Sequence, residues 1–246
     1  MRAVAKDKLK RLFTDVPAGE PLTIRRLAAL GISADLAVSY VRSGWLMRLA
    51  RGVYSRVGDA PELGLSLLVL RDSLPGLHVG GRTAMQWHGL LPAGPAPAPL
   101  TLYGWDHEPL PEWFTSRFPA TYQRKRLIRE EPAWPMQVLA CPPQLTVPVV
   151  SSPERALLEF LSDVGVEVSF EEARRAAALA GALRGEALQA LLERCTSVKA
   201  VRLCVTAGQE FAHPWYATLV RATLPQGSAR PWVSRTAEGL LVLPPI

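Results

Sequence analysis

Residues 22–44, LTIRRLAALGISADLAVSYVRSG, contain two short apolar-periodic runs separated by Gly31-Ile32-Ser33, and this spacing restricts the local fold more than any other feature of the chain. In the first run Thr23 is placed to cap a helix, Ile24, Leu27 and Ala28 supply its apolar face, and Gly31 stops it. In the second, Ser33 caps a helix running to Gly44. Ala34, Ala37, Val38 and Val41 fall on one face of it, Asp35, Ser39 and Arg42 on the other, and Tyr40 at the border. A basic amphipathic helix is expected ahead of the pair over residues 2–13, with Val4, Leu9, Leu12 and Phe13 on its apolar side. Behind it, Trp45 to Arg48 and Val53 to Arg56 are β-prone and flank Leu49-Ala50-Arg51-Gly52, a hairpin with glycine at the positive-φ position. Helix, helix-turn-helix, basic hairpin is the order of a winged helix-turn-helix.

The charge distribution agrees. The chain carries a net charge of +6, and residues 1–58 hold eleven Lys and Arg against four acids, whereas the rest holds seventeen against eighteen. The whole positive excess lies in the first quarter, the asymmetry of a polyanion-binding module. Arg42 is the leading candidate for a base or phosphate contact, with Ser39 and Tyr40 able to bond phosphate oxygens. Arg48 and Arg51 flank the wing turn, and Arg25 and Arg26 open the first helix of the pair, where free N–H groups add positive potential. Each arginine taken alone also fits a solvated surface, so joint placement carries the reading. Trp45 and Tyr54 are expected to pack under the wing.

The expected fold class is α+β: an N-terminal winged helix-turn-helix over residues 1–58, then a mixed domain over 59–246 with a small sheet followed by helices. ELGLSLLVLRDSL and GGRTAMQWHGL read as helices and LPAGPAPAPL as a connector. LTLYGW, WFTSRF, ATYQRKRL, MQVLA and QLTVPVV read as proline-interrupted strands suited to sheet edges. The basic tract Tyr122-Gln123-Arg124-Lys125-Arg126 fits a solvated edge better than a second nucleic-acid site. From Ser152-Pro153 the period is helical, with Leu157, Leu161 and Val164 on one face and Glu154, Glu159 and Asp163 taken as solvated surface.

Catalytic and metal motifs are missing from the sequence. His78, His88, His107 and His213 share no metal-ligand spacing, and no H-E-x-x-H, G-x-S-x-G, Walker or dinucleotide pattern occurs. No cofactor, metal or enzymatic activity is expected. No apolar run reaches the length of a membrane span, so a cytoplasmic protein is expected. Cys141, Cys195 and Cys204 fit small buried side chains in a reducing compartment.

The segment TIRRLAALGISADLAVSYVRSGWLMRLARGVYSRVG resembles the N-terminal winged helix of AbiEi-type antitoxins, whose wing reads as glycine, an apolar strand, then Arg-Gly-Val-Tyr, here Gly44 through Tyr54. The resemblance continues in GGRTAMQWHGL, SSPERALLEFL and VKAVRLCVTAGQEFAHPW. It implies a two-domain autorepressor that binds inverted repeats of double-stranded DNA in its own promoter. It also implies an antitoxin that opposes an AbiEii-type nucleotidyltransferase-like toxin through its C-terminal domain, without a direct complex. For antitoxicity Arg155, Lys199 and Arg202 are exposed-looking basic positions, which salt bridges to local Glu residues explain equally well. The alternatives are a solitary regulator with a ligand-sensing or dimerising C-terminal domain, and a C-terminal domain that is a diverged nuclease or other enzyme.

Overall fold

The computed structural model of the chain describes residues 2–94, 98–129, 136–140, 146–225, 227–236 and 239–245. It forms two compact units, Met1–Pro75 with Glu108–Pro119, and Gly76–His107 with Ala120–Ile246.

In the first unit, α1 (Arg2–Thr14) precedes β1 (Leu22–Thr23), α2 (Ile24–Ala29), α3 (Ala34–Arg42) and the hairpin β2 (Leu46–Ala50) and β3 (Val53–Arg56). The helix signals act as anticipated: Thr23 accepts from the Arg26 amide, Ser33 accepts from the Leu36 amide, and Gly31 has φ +77°. Leu12, Leu22, Leu27, Ile32, Ala37, Tyr40, Leu46 and Tyr54 form one buried cluster. The wing is a three-stranded antiparallel sheet of order β1-β3-β2, with Leu22 opposite Tyr54 and Thr23 opposite Val53. Its first strand is two residues long, too short to register as a period in the sequence.

The expected boundary at 58/59 falls inside this unit. Helix α4 (Leu63–Arg71) is capped by the Glu62 carboxylate, the Glu62 amide donates to the Gly19 carbonyl at 2.9 Å, and the Gly19 amide donates to Asp59 at 3.2 Å. Gly19 has φ +79°, and a Cβ there would sit 2.9 Å from the Ala60 carbonyl oxygen and from the Glu62 Cβ, so this closure requires glycine. The anticipated strand in WFTSRF is instead α6 (Glu112–Thr115). Pro111 sets its start, and Phe114 and Phe118, four residues apart, meet at a tilt with centroids 5.3 Å apart, a pairing that suits a helical turn.

The second unit is built on a mixed five-stranded sheet of order β6-β5-β4-β8-β7. Its strands are β4 (His78–Val79), β5 (Leu100–Gly104), β6 (Ala120–Arg124), β7 (Met136–Ala140) and β8 (Thr146–Ser151). The basic tract begins on the edge strand β6 with Tyr122, Gln123 and Arg124, and Lys125 and Arg126 follow just past its end. The helices are α5 (Gly81–Trp87), α7 (Pro153–Ser162), α8 (Phe170–Ala178), α9 (Gly185–Arg194) and α10 (Val198–Glu210), and a hairpin of β9 (Trp232–Thr236) and β10 (Gly239–Leu243) follows. Helix α7 is central and packs against α5, α8, α9 and α10. A helix surrounded in this way has no solvent face.

Three acids read as solvated surface are therefore buried: Glu154 and Glu159 are 1% exposed and Asp163, just past the end of α7, is 4%. Each has partners. Glu154 accepts from Arg184, and Asp163 accepts from Tyr103 Oη at 2.5 Å and pairs with Lys125. Glu159 Oε1 lies 2.7 Å from both Arg155 Nε and His78 Nε2, while Oε2 accepts from Ser151 Oγ at 2.7 Å and the Gly81 amide at 3.0 Å. Burial by itself raises the Glu159 carboxyl, but the charges and hydrogen bonds of His78 and Arg155 outweigh it and hold the carboxyl down at about 2.

Cys195 and Cys204 are buried, and burial pushes the Cys195 thiol up to about 11, while Cys141 lies outside the described residues. Among the described residues no helix is long and apolar enough to cross a membrane, and no cluster of His, Cys, Asp or Glu is placed to hold a metal.

Candidate nucleic-acid interface

In α3 the buried face is Ala37 and Tyr40, with Leu36 and Val41 half-buried, and the outward face is Asp35, Val38, Ser39 and Arg42. This rotates the anticipated apolar face, because Leu36 and Tyr40 displace Ala34 and Val38 against the α2 side of the core. Tyr40, expected to reach phosphate, is 6% exposed and belongs to that core, where burial pushes its phenol up. Ser39 and Arg42 remain exposed.

The wing carries its arginines by local geometry. The register slips between Arg48 and Ala50, and Gly52 closes the turn with φ +78°. Gly52 also accepts from the Ile24 amide at 3.0 Å, tying the turn to the start of α2. Arg48 and Arg51 are exposed, with Arg48 Nε donating to the Ala50 carbonyl at 3.3 Å. Tyr54 packs under the wing as anticipated, but Trp45 does not. It is 44% exposed and meets Phe13 edge-on at 6.0 Å.

Pairing distinguishes the candidate arginines of α3 and the wing from several of their neighbours. Arg11 pairs with Asp15, Arg25 with Asp72 at 2.9 Å, and Arg26 with Glu20 at 2.7 Å. Arg56 is buried, pairs with Asp59 at 2.7 Å and donates to the Leu12, Phe13 and Val16 carbonyls. Among the described residues Arg42, Arg48 and Arg51 have no carboxylate partner. Internal pairing thus leaves uncompensated charge on α3 and the wing, while Arg25 and Arg26 sit beside it already engaged.

The C-terminal candidates are not exposed as their charge suggests, although Arg155 does pair with a local Glu as the alternative reading had it. Arg155 and Arg202 are each 1% exposed. Arg155 bonds Glu159. Arg202 donates from Nη1 to the Arg230 carbonyl at 3.0 Å and the Leu243 carbonyl at 3.2 Å, and from Nη2 to the Ser228 carbonyl at 2.6 Å, gripping the backbone around the β9-β10 hairpin. Lys199 is half-buried and donates to the Val164 carbonyl at 2.6 Å. Burial hides the first two because α7 and α10 are interior helices, a relation between distant elements that a local sequence window does not contain. The sequence of α7 is amphipathic, with Arg155, Glu159 and Ser162 in one row and leucines on the other face, so no local signal marks its polar row as buried.

Residues 98–243 match the family described as transcriptional regulator, AbiEi antitoxin, type IV TA system, and residues 5–91 match the AbiEi antitoxin N-terminal domain of transcriptional regulators. Among curated protein sequences no significant match is found. The crystal structure of the RV2827C protein from Mycobacterium tuberculosis is similar to the chain with a TM-score of 0.53 at 17% identity, covering 94% of this chain and 89% of that one. At that identity the likeness speaks for the fold alone, an N-terminal helix-turn-helix followed by a mixed α+β region. With both matches together spanning almost the whole chain, the protein belongs to the AbiEi antitoxin family of transcriptional regulators of type IV toxin-antitoxin systems.

Proposed function

We propose that the protein is a DNA-binding autorepressor and antitoxin of a type IV toxin-antitoxin operon. It binds inverted repeats in its own promoter through the first unit and counteracts a nucleotidyltransferase-like toxin of the AbiEii type without a stable complex. The observation that carries the DNA half is the exposed set Ser39, Arg42, Arg48 and Arg51, free of carboxylates among the described residues, on the second helix and wing of a helix-turn-helix. Ser39 and Arg42 face base edges and phosphates in the major groove, and Arg48 and Arg51 take the flanking backbone or minor groove. Arg25 and Arg26 contribute at the margin, held by Asp72 and Glu20.

The test is binding of the full chain to a duplex of its own upstream sequence at two salt concentrations. Affinity should fall steeply with salt, and Arg42→Ala and Arg51→Ala should each weaken binding and reduce the salt slope by about one. Unchanged binding by both variants rules out this interface. For the antitoxin half, co-expression with the neighbouring toxin reading frame should restore growth, and continued toxicity excludes it.

A ligand-sensing second unit is favoured by one observation. An apolar cavity of about 110 Å³ lies between α7, α8, α10 and β10, lined among others by Leu161, Phe170, Leu203, Phe211 and Val242. Small aromatic solutes that occupy it should raise the melting temperature and change DNA affinity. Stabilisation with no change in DNA affinity leaves the cavity without a regulatory role.

A further inference from the structure

Past the end of the edge strand β6, residues 125–129 run beside the connector from α9 to α10. The Thr196 amide donates to the Leu127 carbonyl at 2.7 Å, the Arg129 amide to the Arg194 carbonyl at 2.9 Å, and Thr196 Oγ1 to the carbonyls of Arg126 and Leu127 at 3.2 and 3.0 Å. These bonds frame an open concavity of about 350 Å³ lined by Lys125, Arg126, Leu127, Ser162, Thr196 and Ser197.

Hydrogen-bond donors are in excess there. Arg126 is exposed, its guanidinium lies 4.9 Å over the Trp105 ring, and among the described residues it has no carboxylate or hydrogen-bond acceptor. Lys125 Nζ donates to Ser162 Oγ at 3.2 Å and to Asp163, which leaves one of its three N–H groups. Ser197 Oγ accepts from the Ala200 amide at 3.2 Å, so its own O–H has no assignment to that bond and can donate outward. Helix α10 starts at this residue, and the first amides of a helix have no carbonyl four residues earlier. Lys199 follows two residues on. Burial, and then the neighbouring Lys125 charge, push its ammonium down in pKa, with Asp163 opposing, so a second positive charge lies near the Lys125–Asp163 pair.

We propose that this concavity is a phosphate site for a small ligand (inorganic phosphate, pyrophosphate or the terminal phosphate of a nucleotide) held by Arg126, Lys125 and Ser197. The guanidinium fork takes two phosphate oxygens, the remaining Lys125 proton a third, and the Ser197 hydroxyl, at the N-cap of α10, supplies a neutral donor at the same end. A single phosphate suits the concavity better than a duplex backbone. Residues 59–246 carry seventeen basic against eighteen acidic side chains, and Glu167, which accepts from Gln123 at 3.2 Å, and Asp163 border the tract, so a long polyanion passing along this face meets carboxylates on either side of one basic cluster.

The proposal is independent of DNA binding by the first unit, and titration of the full chain tests it. Inorganic phosphate and pyrophosphate are added at constant ionic strength with chloride as the control, followed by calorimetry and by tryptophan fluorescence, with Trp105→Phe identifying the reporting ring. Saturable binding is expected, weakened about tenfold or more in Arg126→Ala, whose side chain is exposed and whose loss should leave the melting temperature unchanged. Arg124→Ala, two residues earlier at the end of β6 and paired with His107, should bind as the parent does. Adding AMP and ATP in separate arms distinguishes a nucleotide from free phosphate as the source. Three results overturn the proposal: no saturable binding, equal weakening in Arg124→Ala and Arg126→Ala, or displacement of the phosphate by duplex promoter DNA, which assigns the concavity to the nucleic-acid surface.

Discussion

The first unit and the α7 region use charge in opposite ways. Around α3 and the wing, Arg42, Arg48 and Arg51 stand in solvent without carboxylates among the described residues, while the neighbouring arginines that pair do so at the margins or, as Arg56, in the interior. Around α7, Glu154, Glu159, Asp163 and Arg155 are out of solvent, and each has a partner of opposite charge. A solvated unpaired cation costs the fold almost nothing and stays available to a polyanion. A buried ion must be matched on the spot or it destabilises the chain by several kcal/mol. The recognition proposed for the first region and the fold specification in the second rest on this difference.

The largest expected effect tests the second half of that contrast. Glu159→Ala leaves Arg155 and His78 without their shared carboxylate and should lower unfolding free energy by about 3–5 kcal/mol in urea denaturation. If it changes promoter affinity in protein that is still folded, the separation of roles fails. Acid should act through the same group. The folded carboxyl is held at about 2 against an ordinary 4.5, so its stabilisation is complete above 4.5 and disappears as pH falls toward 2. The parent should lose stability across that interval, and Glu159→Gln should lose less of it. An equal loss in both forms assigns the acid sensitivity elsewhere.

Next in size is the converse. Arg42→Ala and Arg51→Ala should each weaken promoter binding about tenfold while moving stability by no more than about 0.5 kcal/mol. A large fall in stability makes either arginine part of the fold. Ser33→Ala removes the acceptor for the Leu36 amide and should destabilise by about 1 kcal/mol, read as a lowered melting temperature, and the resulting looser α3 should bind DNA less well than its exposed residues alone predict. Smallest is Asp72→Asn. Its pair with Arg25 is solvated on both sides, so stability should change by about 0.2–1 kcal/mol at most. The freed Arg25 should tighten promoter binding slightly at low salt, and weaker binding shows that Asp72 serves the interface directly.

The first unit was legible because its signals are local. Thr23 and Ser33 as caps, Gly31 and Gly52 as turn residues and the spacing of Leu27, Ala37 and Tyr54 act within a few residues of themselves, and each has its anticipated place. Tyr40 turns inward because a helix face one residue wide of the periodic estimate still satisfies the same pattern, whereas Trp45, past the end of α3, meets Phe13 instead of packing under the wing. Strand β1 and the two-residue β4 are too short to show a period at all.

In the second unit, α7 was recognisable as a helix from Ser152-Pro153 and its leucines, but its environment was not. Whether Glu159 meets water or His78, eighty-one residues away, depends on β4 and α5 closing over it, and no window of sequence contains both. Arg155 pairs with Glu159 one helical turn on, as the alternative reading of it had, but that both are buried, and that Arg202 is held by carbonyls more than twenty residues away, follows only from packing. The sequence by itself thus determined the helix-turn-helix, the wing and the concentration of positive charge in the first 58 residues, all products of short-range backbone and side-chain preference. Which charges remain available and which are sealed inside was decided only by tertiary packing, because burial and ion pairing join elements far apart in the chain.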